Sequence, residues 1–338
     1  MLFKRNKNNV WSEYMVNRPG VSIICCTYNH EPYIRNALNS ILEQRTNFPI
    51  EILIHDDAST DNTAAIIKEY EKAYPDMIKP IYQTDNQYSK GIDVQQINYE
   101  RARGKYIAIC NGDDFWIDEY KLQRQYDYLE KTKHCMLSVH AGKIVAADSK
   151  QVTDICSPSK MNRFYSTREL IDGDGGLFIT NSMFFRAHIV KNRPSLFIKL
   201  PVTDYVLILY LSLFGQVHYM RDVMSCHRVS TSNTSSTTQV ASRKDKESFI
   251  EIGEWLLQFD EWTNYSFHDA IEAKLVANDF VPKPKDSVQM DEQTLQLVNG
   301  SIPFKRKVVV IFERHLPQLA GRLKRKRWLM YQLLHRRH

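Results

Sequence analysis

Apolar positions in the first third of the chain come in short β-branched blocks, separated by longer stretches with a helical period. VSIICCTYN, residues 21–29, is such a block and predicts a buried strand running into a turn. EPYIRNALNSILEQ follows, with Ile34, Leu38, Ile41 and Leu42 at helical spacing. IEILIHDD, from Ile50, predicts a second strand, and the Ser59-Thr60-Asp61 segment can cap the helix NTAAIIKEYEKAY. IKPIYQ reads as a third strand, DVQQINYERAR as a helix closed by Gly104, and GKYIAICNGDD as a fourth strand. Strands alternating with helices in this way predict βαβ units and a mostly parallel sheet.

Farther along, Lys121 to Lys131 has a helical pattern and Leu137 to Ala147 a strand pattern. Beyond Ser157 the periodicity loosens, although Ser182 to Arg186 and the apolar run Tyr205 to Phe214 are expected to be buried. That run is too short to span a bilayer, which needs roughly 18 apolar residues or more. STSNTSSTT, from Ser230, lacks packing residues and reads as a loop. No internal repeat is present.

Composition adds little until it is placed along the chain. Of 338 residues 43% are hydrophobic and 25% charged, which is ordinary for a globular protein able to bury a large core. The six cysteines show neither metal-site nor disulfide-framework spacing, and Cys25, Cys26 and Cys110 fall in strand blocks as buried thiols. With no apolar signal core in MLFKRNKNNV, the expected address is cytoplasmic. The net charge of +6 is uneven: from Gly300 onward eleven Lys/Arg face the single acid Glu313. A basic tail on a slightly acidic body is therefore expected, with the chain divided into a main domain of residues 1–240 and a helical C-terminal region of residues 241–338.

The chemistry concentrates at strand ends. In a parallel sheet, ligands bind outside the carboxyl ends of the strands. Two strands end on acid pairs, Asp56/Asp57 and Asp113/Asp114. If those strands are neighbours, four carboxylates converge on one rim, which then needs a cation, basic residues or ligand donors. Hard oxygen ligands suit magnesium or manganese, ions that keep positions open for phosphate oxygens. No GxGxxG, GxxxxGK[ST], GxSxG or HExxH pattern occurs, so a phosphate-bearing ligand would be held by metal and side chains rather than by a glycine-rich cradle.

Taken in order, VSIICCTYNHEPYI, EILIHDDASTDNT and ARGKYIAICNGDDFW resemble the consecutive signatures of family 2 glycosyltransferases with the GT-A fold, and the likeness extends over Val21 to Arg228. It implies a Rossmann-like α/β sheet flanked by helices and an inverting transferase that uses a UDP-sugar and Mn2+ or Mg2+. It places Thr27, Tyr28 and Asn29 at the nucleotide, with Tyr28 against the base, and gives Asp57 the uracil N–H with Asp56 beside it. Asn111 stands where the family's D-x-D element begins, which leaves Asp113 as the principal metal ligand and Asp114 in support. The resemblance also implies a general base in the segment LPVTDYVLILYLSLFGQVHYM, Asp204, whose apolar neighbours would raise its pKa. In Cys226-His227-Arg228-Val229-Ser230, Arg228 matches a family arginine that reaches the diphosphate. The family's histidine position is Ser230, and His227 is its possible substitute.

The tail from Lys305 places Leu316, Leu319, Leu323, Met330 and Leu334 on one helical face inside a basic surround. Peripheral contact with an anionic membrane is expected from it, on the inner face of the cytoplasmic membrane. The expected acceptor is a glycan, lipid-linked or free, in cell-surface polysaccharide synthesis. Nucleic acid has only charge in its favour and is not expected, while a homo-oligomer is left open. Two rival readings are a non-catalytic nucleotide-sugar-binding protein and a sugar nucleotidyltransferase. The second would show a glycine- and arginine-rich loop after the first strand, and TYNHEPY offers none.

Overall fold

The computed structural model describes residues 18–147, 151–173, 175–198, 203–229 and 243–278. Its first half alternates strand and helix as the pattern predicts. β1 (Val21–Thr27), α1 (Ile34–Leu42), β2 (Ile50–Asp56), α2 (Thr63–Ala73), β3 (Ile78–Tyr82), α3 (Val94–Arg101) and β4 (Tyr106–Ile109) follow one another. After them come β5 (Phe115–Trp116), α4 (Lys121–Lys131), β6 (Cys135–Ala146), β7 (Val152–Cys156), β8 (Arg163–Tyr165) and α5 (Thr167–Asp172). A 3-10 turn at Thr180–Ser182 leads into β9 (Phe184–Arg186) and α6 (Ala187–Val190). α7 (Thr203–Ser212), β10 (Gln216–Val229), α8 (Arg243–Trp262) and α9 (His268–Ala277) complete the order.

One sheet runs through the molecule in the order β3-β2-β1-β4-β9-β6-β10-β5, with β7 beside β6 and β8 beside β10. The β3-β2-β1-β4 part is wholly parallel. From β9 onward the sheet is mixed: β9 runs antiparallel to β4 and β6, while β10 is parallel to β6 and antiparallel to β5. The parallel part is buried on both faces, which is why its strands read as continuous apolar blocks. In β1, Val21, Ile23 and Cys25 enter the core layer beneath α1, α2 and α4, while Ile24 enters the opposite layer. Truncating such a side chain, Ile23→Ala for instance, leaves a cavity costing about 2–5 kcal/mol.

The opposite layer explains the long apolar run. α7 is buried all round from Tyr205 to Leu211, so its sequence carries no amphipathic period. Trp255, Leu256 and Phe259 of α8 and Ile271 of α9 belong to that same core, and the Trp255 indole donates to the Leu196 carbonyl at 2.7 Å. The described part of the expected C-terminal helical region is therefore packed against the sheet-bearing body. The basic tail with its expected membrane face, Ser230 and the Ser/Thr segment after it lie outside the described residues. Among the described residues no helix is long and apolar enough to cross a membrane. All six cysteines are free; Cys25 and Cys110 are buried as expected, whereas Cys26 is only partly so.

The sheet aligns the strand ends that matter. Beyond β1 the pairing continues into the loops: the Asp57 amide donates to the Thr27 carbonyl at 2.9 Å, and the Gly112 amide donates to the Cys26 carbonyl at 3.0 Å. β1 lies between β2 and β4, so the two acid-bearing strands are not neighbours. Their carboxyl ends nevertheless leave the sheet along one rim.

Candidate active site

The loops after β1 and β2 are knitted to each other. Asn29 takes a left-handed backbone with φ of 54°, a conformation asparagine tolerates, and its side chain accepts the Thr60 amide at 2.8 Å. Its own amide donates to the Ser59 hydroxyl at 2.9 Å, and Ser59 in turn donates to Asp56. Glu31 binds the backbone and side chain of Asn62. Asp61, rather than the Asn62 side chain, caps α2 by accepting the Thr63 amide. Tyr28, held on this frame, is 44% exposed and available to a ligand.

Asp56 and Asp57 are both buried. Burial pushes the Asp56 carboxyl above its usual pKa, against the Ser59 hydrogen bonds. Asp57 accepts the Gln87 amide at 2.7 Å on one oxygen and the Tyr88 amide at 3.0 Å on the other. The acid assigned to the uracil N–H on sequence also anchors the loop after β3, which carries the exposed Tyr88. Asp57 thus joins, through backbone bonds, the two chain segments bearing Tyr28 and Tyr88.

The stretch CNGDDFW forms the next part of the rim. Gly112 has no room for a side chain: a Cβ there would lie 2.5 Å from Thr27 Oγ1 and 2.9 Å from His30 Nδ1. This close approach brings Thr27, His30 and Asn111 together. The two acids that follow differ sharply. Asp113 keeps 30% of its side chain exposed, with His30 Nε2 3.8 Å from Oδ2. Asp114 is enclosed, accepting the Arg228 amide at 3.0 Å and facing His227 Nδ1 at 3.0 Å. Desolvation first, and then the charge of Asp114, raise the Asp113 pKa.

Two cations from β10 answer these acids. Burial alone would lower the His227 pKa, but Asp114, with Asp113 and Asp204 beyond it, raises it to about 9, so the ring is an imidazolium at neutral pH. Arg228 is buried, donates to the Asp113 carbonyl at 2.6 Å, and lies over the rings of Tyr33 (5.0 Å) and Phe115 (4.5 Å). The segment 225–229 thus carries both positive groups, with His227 acting through Asp114.

Asp204 sits in the first turn of α7, and its Oδ2 accepts the Thr180 hydroxyl. Burial raises its pKa, while the Thr180 bond and His227 counter the shift. This is the expected behaviour of a carboxylate tuned towards accepting a proton.

Several buried side-chain polar atoms have no hydrogen-bond partner among the described residues, and four of them line this rim: Thr27 Oγ1, His30 Nδ1, Asn111 Oδ1 and Arg228 Nε. Buried polar groups are ordinarily paired, so such a cluster marks a place completed by a polar ligand. No three described side chains converge as a self-sufficient metal cage. One open carboxylate, Asp113, beside unpaired donors and acceptors fits a hard divalent cation whose remaining ligands are phosphate oxygens. Sequence reasoning named Asp113, Asp204 and Arg228. It did not single out His30, Tyr33, Phe115, Tyr88 and Thr180, of which the first three lie inside the signature stretches and the last two carry no local signal.

Comparison with known proteins bears on the family and the fold. The family model described as Glycosyl transferase family 2 matches residues 22–191, half of the chain. An uncharacterized protein of Mycobacterium tuberculosis is 37% identical over 169 residues, 49% of this chain and 46% of that protein. This chain thus spans about half the length of the first relatives it matches. The putative teichuronic acid biosynthesis glycosyltransferase TuaG of Bacillus subtilis is 33% identical over 131 residues, 39% of this chain and 50% of that protein. Residues 1–349 of TarS from S. aureus, in complex with UDP, superpose with a TM-score of 0.54 at 18% identity. That alignment covers 82% of this chain and 78% of TarS 1–349, a likeness of fold that matches the GT-A architecture. The chain belongs to glycosyltransferase family 2.

Proposed function

We propose that this family 2 chain is an inverting glycosyltransferase. It would move a sugar from a nucleoside diphosphate to a hydroxyl of a glycan acceptor in cell-surface polysaccharide synthesis. The observation that carries the reading is the rim itself: unpaired polar atoms, the open Asp113, the buried Arg228 and the half-buried Asp204 converge at the carboxyl ends of β1, β2 and β4. The family match ends at residue 191, so the roles of Asp204 and Arg228 rest on this geometry. UDP is the first donor nucleotide to test, because TarS, the fold neighbour, was solved with UDP and with UDP-GlcNAc. TuaG's name supports the polysaccharide class.

In this reading Tyr28 and Tyr88 flank the base, Thr27, Asn29 and Asn111 border the nucleotide, and Asp56 and Asp57 hold their loops in place. Arg228 stabilises negative charge growing on the leaving diphosphate. A divalent cation held by Asp113, with Asp114 behind it, would supply Lewis-acid stabilisation of the same oxygens. Asp204 accepts the proton of the incoming hydroxyl. That oxygen bonds to the anomeric carbon as the bond to the diphosphate breaks on the opposite face, inverting the centre.

The test is calorimetric titration of UDP, with and without manganese, into wild type and Asp113→Ala, followed by a UDP-release screen of UDP-sugars. Metal-dependent binding lost in the variant is expected; equal affinity in the two proteins moves the metal elsewhere. Asp204→Asn should keep UDP affinity and lose turnover, whereas full turnover removes it as base. If UDP binds under no metal condition, another nucleotide or the non-catalytic reading takes its place.

A further inference from the structure

Three distant parts of the chain meet at the turn Thr180–Ser182. Asn181 is fully buried, and every side of it is engaged. Its carbonyl accepts the Trp116 indole N–H at 3.0 Å, its Nδ2 donates to the Cys226 carbonyl at 2.7 Å, and its Oδ1 accepts the Ser225 hydroxyl at 2.7 Å. Gln125 Nε2, from α4, donates to the Ser182 carbonyl at 2.9 Å. The turn is thereby fixed both to the segment that follows Asp113 and Asp114 and to the segment that precedes His227 and Arg228. From this fixed frame the Thr180 hydroxyl donates to Asp204 Oδ2.

We propose that Thr180 is a positioning residue for glycosyl transfer. Its hydroxyl locks the Asp204 carboxylate to the frame that carries the acidic pair and the two cations, occupying Oδ2 and leaving Oδ1 for the acceptor's proton. The proposal rests on the reading of Asp204 as base, and it adds a residue on a different element, 24 positions away, as the reason that base is held in place. A hydroxyl donating to a carboxylate favours its ionised form, so the bond also opposes the effect of burial on Asp204. The charged and titratable groups facing Asp204 are His227 on β10, Asp114 after β4, Asp93 at the start of α3 and Tyr99 within α3. None of them offers the fixed donor that Thr180 does.

The experiment compares wild type, Thr180→Val, Thr180→Ala, Thr180→Ser and Asp204→Asn. It follows UDP release from the UDP-sugar turned over fastest, with water as acceptor, across pH, alongside calorimetric UDP affinity. Deleting the hydroxyl should lower kcat on the order of tenfold while leaving KM for the donor and UDP affinity unchanged. It should also move the acidic limb of the profile to higher pH, and Thr180→Ser should restore both. If Thr180→Val fails to fold, Thr180→Ala, which leaves room rather than filling it, gives the same comparison. Wild-type kcat and limb in the hydroxyl-less variants, with Asp204→Asn inactive, overturns the role of Thr180 alone. A uniform loss at every pH that serine does not restore also overturns it. Turnover retained in Asp204→Asn overturns the underlying reading of the base.

Discussion

Lys121 gives the sharpest test of how the floor of the rim is built. It is fully buried at the start of α4, with Nζ 4.3 Å from the centroid of Trp116 and a 2.8 Å bond to Gln125 Oε1. Burial lowers its pKa to about 7, against the charges of Cys110 and Asp118. A positive charge in the first turn also opposes the helix dipole. The unfolded chain binds this proton up to about pH 10 and the folded chain only to about 7, so the residue makes stability rise with pH across that window. The full penalty is roughly 4–5 kcal/mol below pH 7, and about 2 kcal/mol of it is relieved between pH 7 and 9. Lys121→Met keeps the length of the side chain and removes the titration, while leaving Gln125 Oε1 without its donor at a pH-independent cost of about 1–3 kcal/mol. Urea denaturation of both proteins at pH 7, 8 and 9 isolates the difference. The advantage of the variant should shrink by about 2 kcal/mol from pH 7 to 9. Parallel stability curves would mean that Lys121 is charged in the fold at pH 9, which refutes the burial argument.

Two further outcomes follow from the rim. Arg228→Lys keeps the charge but not the planar group stacked between Tyr33 and Phe115, so it should cost about 1–2 kcal/mol in denaturation. UDP affinity should fall about tenfold with it, and an unchanged calorimetric titration would remove Arg228 from the diphosphate. Gly112→Ala would drive a methyl into Thr27 and His30, costing about 1–3 kcal/mol and abolishing UDP binding. Wild-type affinity in a folded Gly112→Ala protein would show that this close approach does not shape the nucleotide site.

The parallel half of the fold was legible because each of its signals is local. β1 stops at Thr27 rather than Asn29 because Asn29 turns left-handed, and α4 begins and ends where its period does. The mixed half was not legible, for physical reasons that differ by element. α7 is enclosed on every side, so no face is marked in its sequence. β9 has three residues and is a strand only because β4 and β6 accept it on either edge. β7 is exposed over most of its length, so no alternation of burial is written into Val152 to Cys156.

The acids show the same division at finer scale. Their presence at strand ends could be read from the chain, since a strand end is a local event. Which of them stays open could not, because that is decided by partners elsewhere: Asp114 and His227 lie 113 positions apart, and their pairing leaves Asp113 as the exposed member. An adjacent pair of carboxylates would repel if both were bare. Enclosing one beside an imidazolium and an arginine amide resolves the repulsion and aims the remaining charge outward. His227 lies behind the open carboxylate, paired with Asp114 rather than with Asp113. The doublet therefore presents one open carboxylate and one anchored one, a distinction that exists only once β10 has paired with β5.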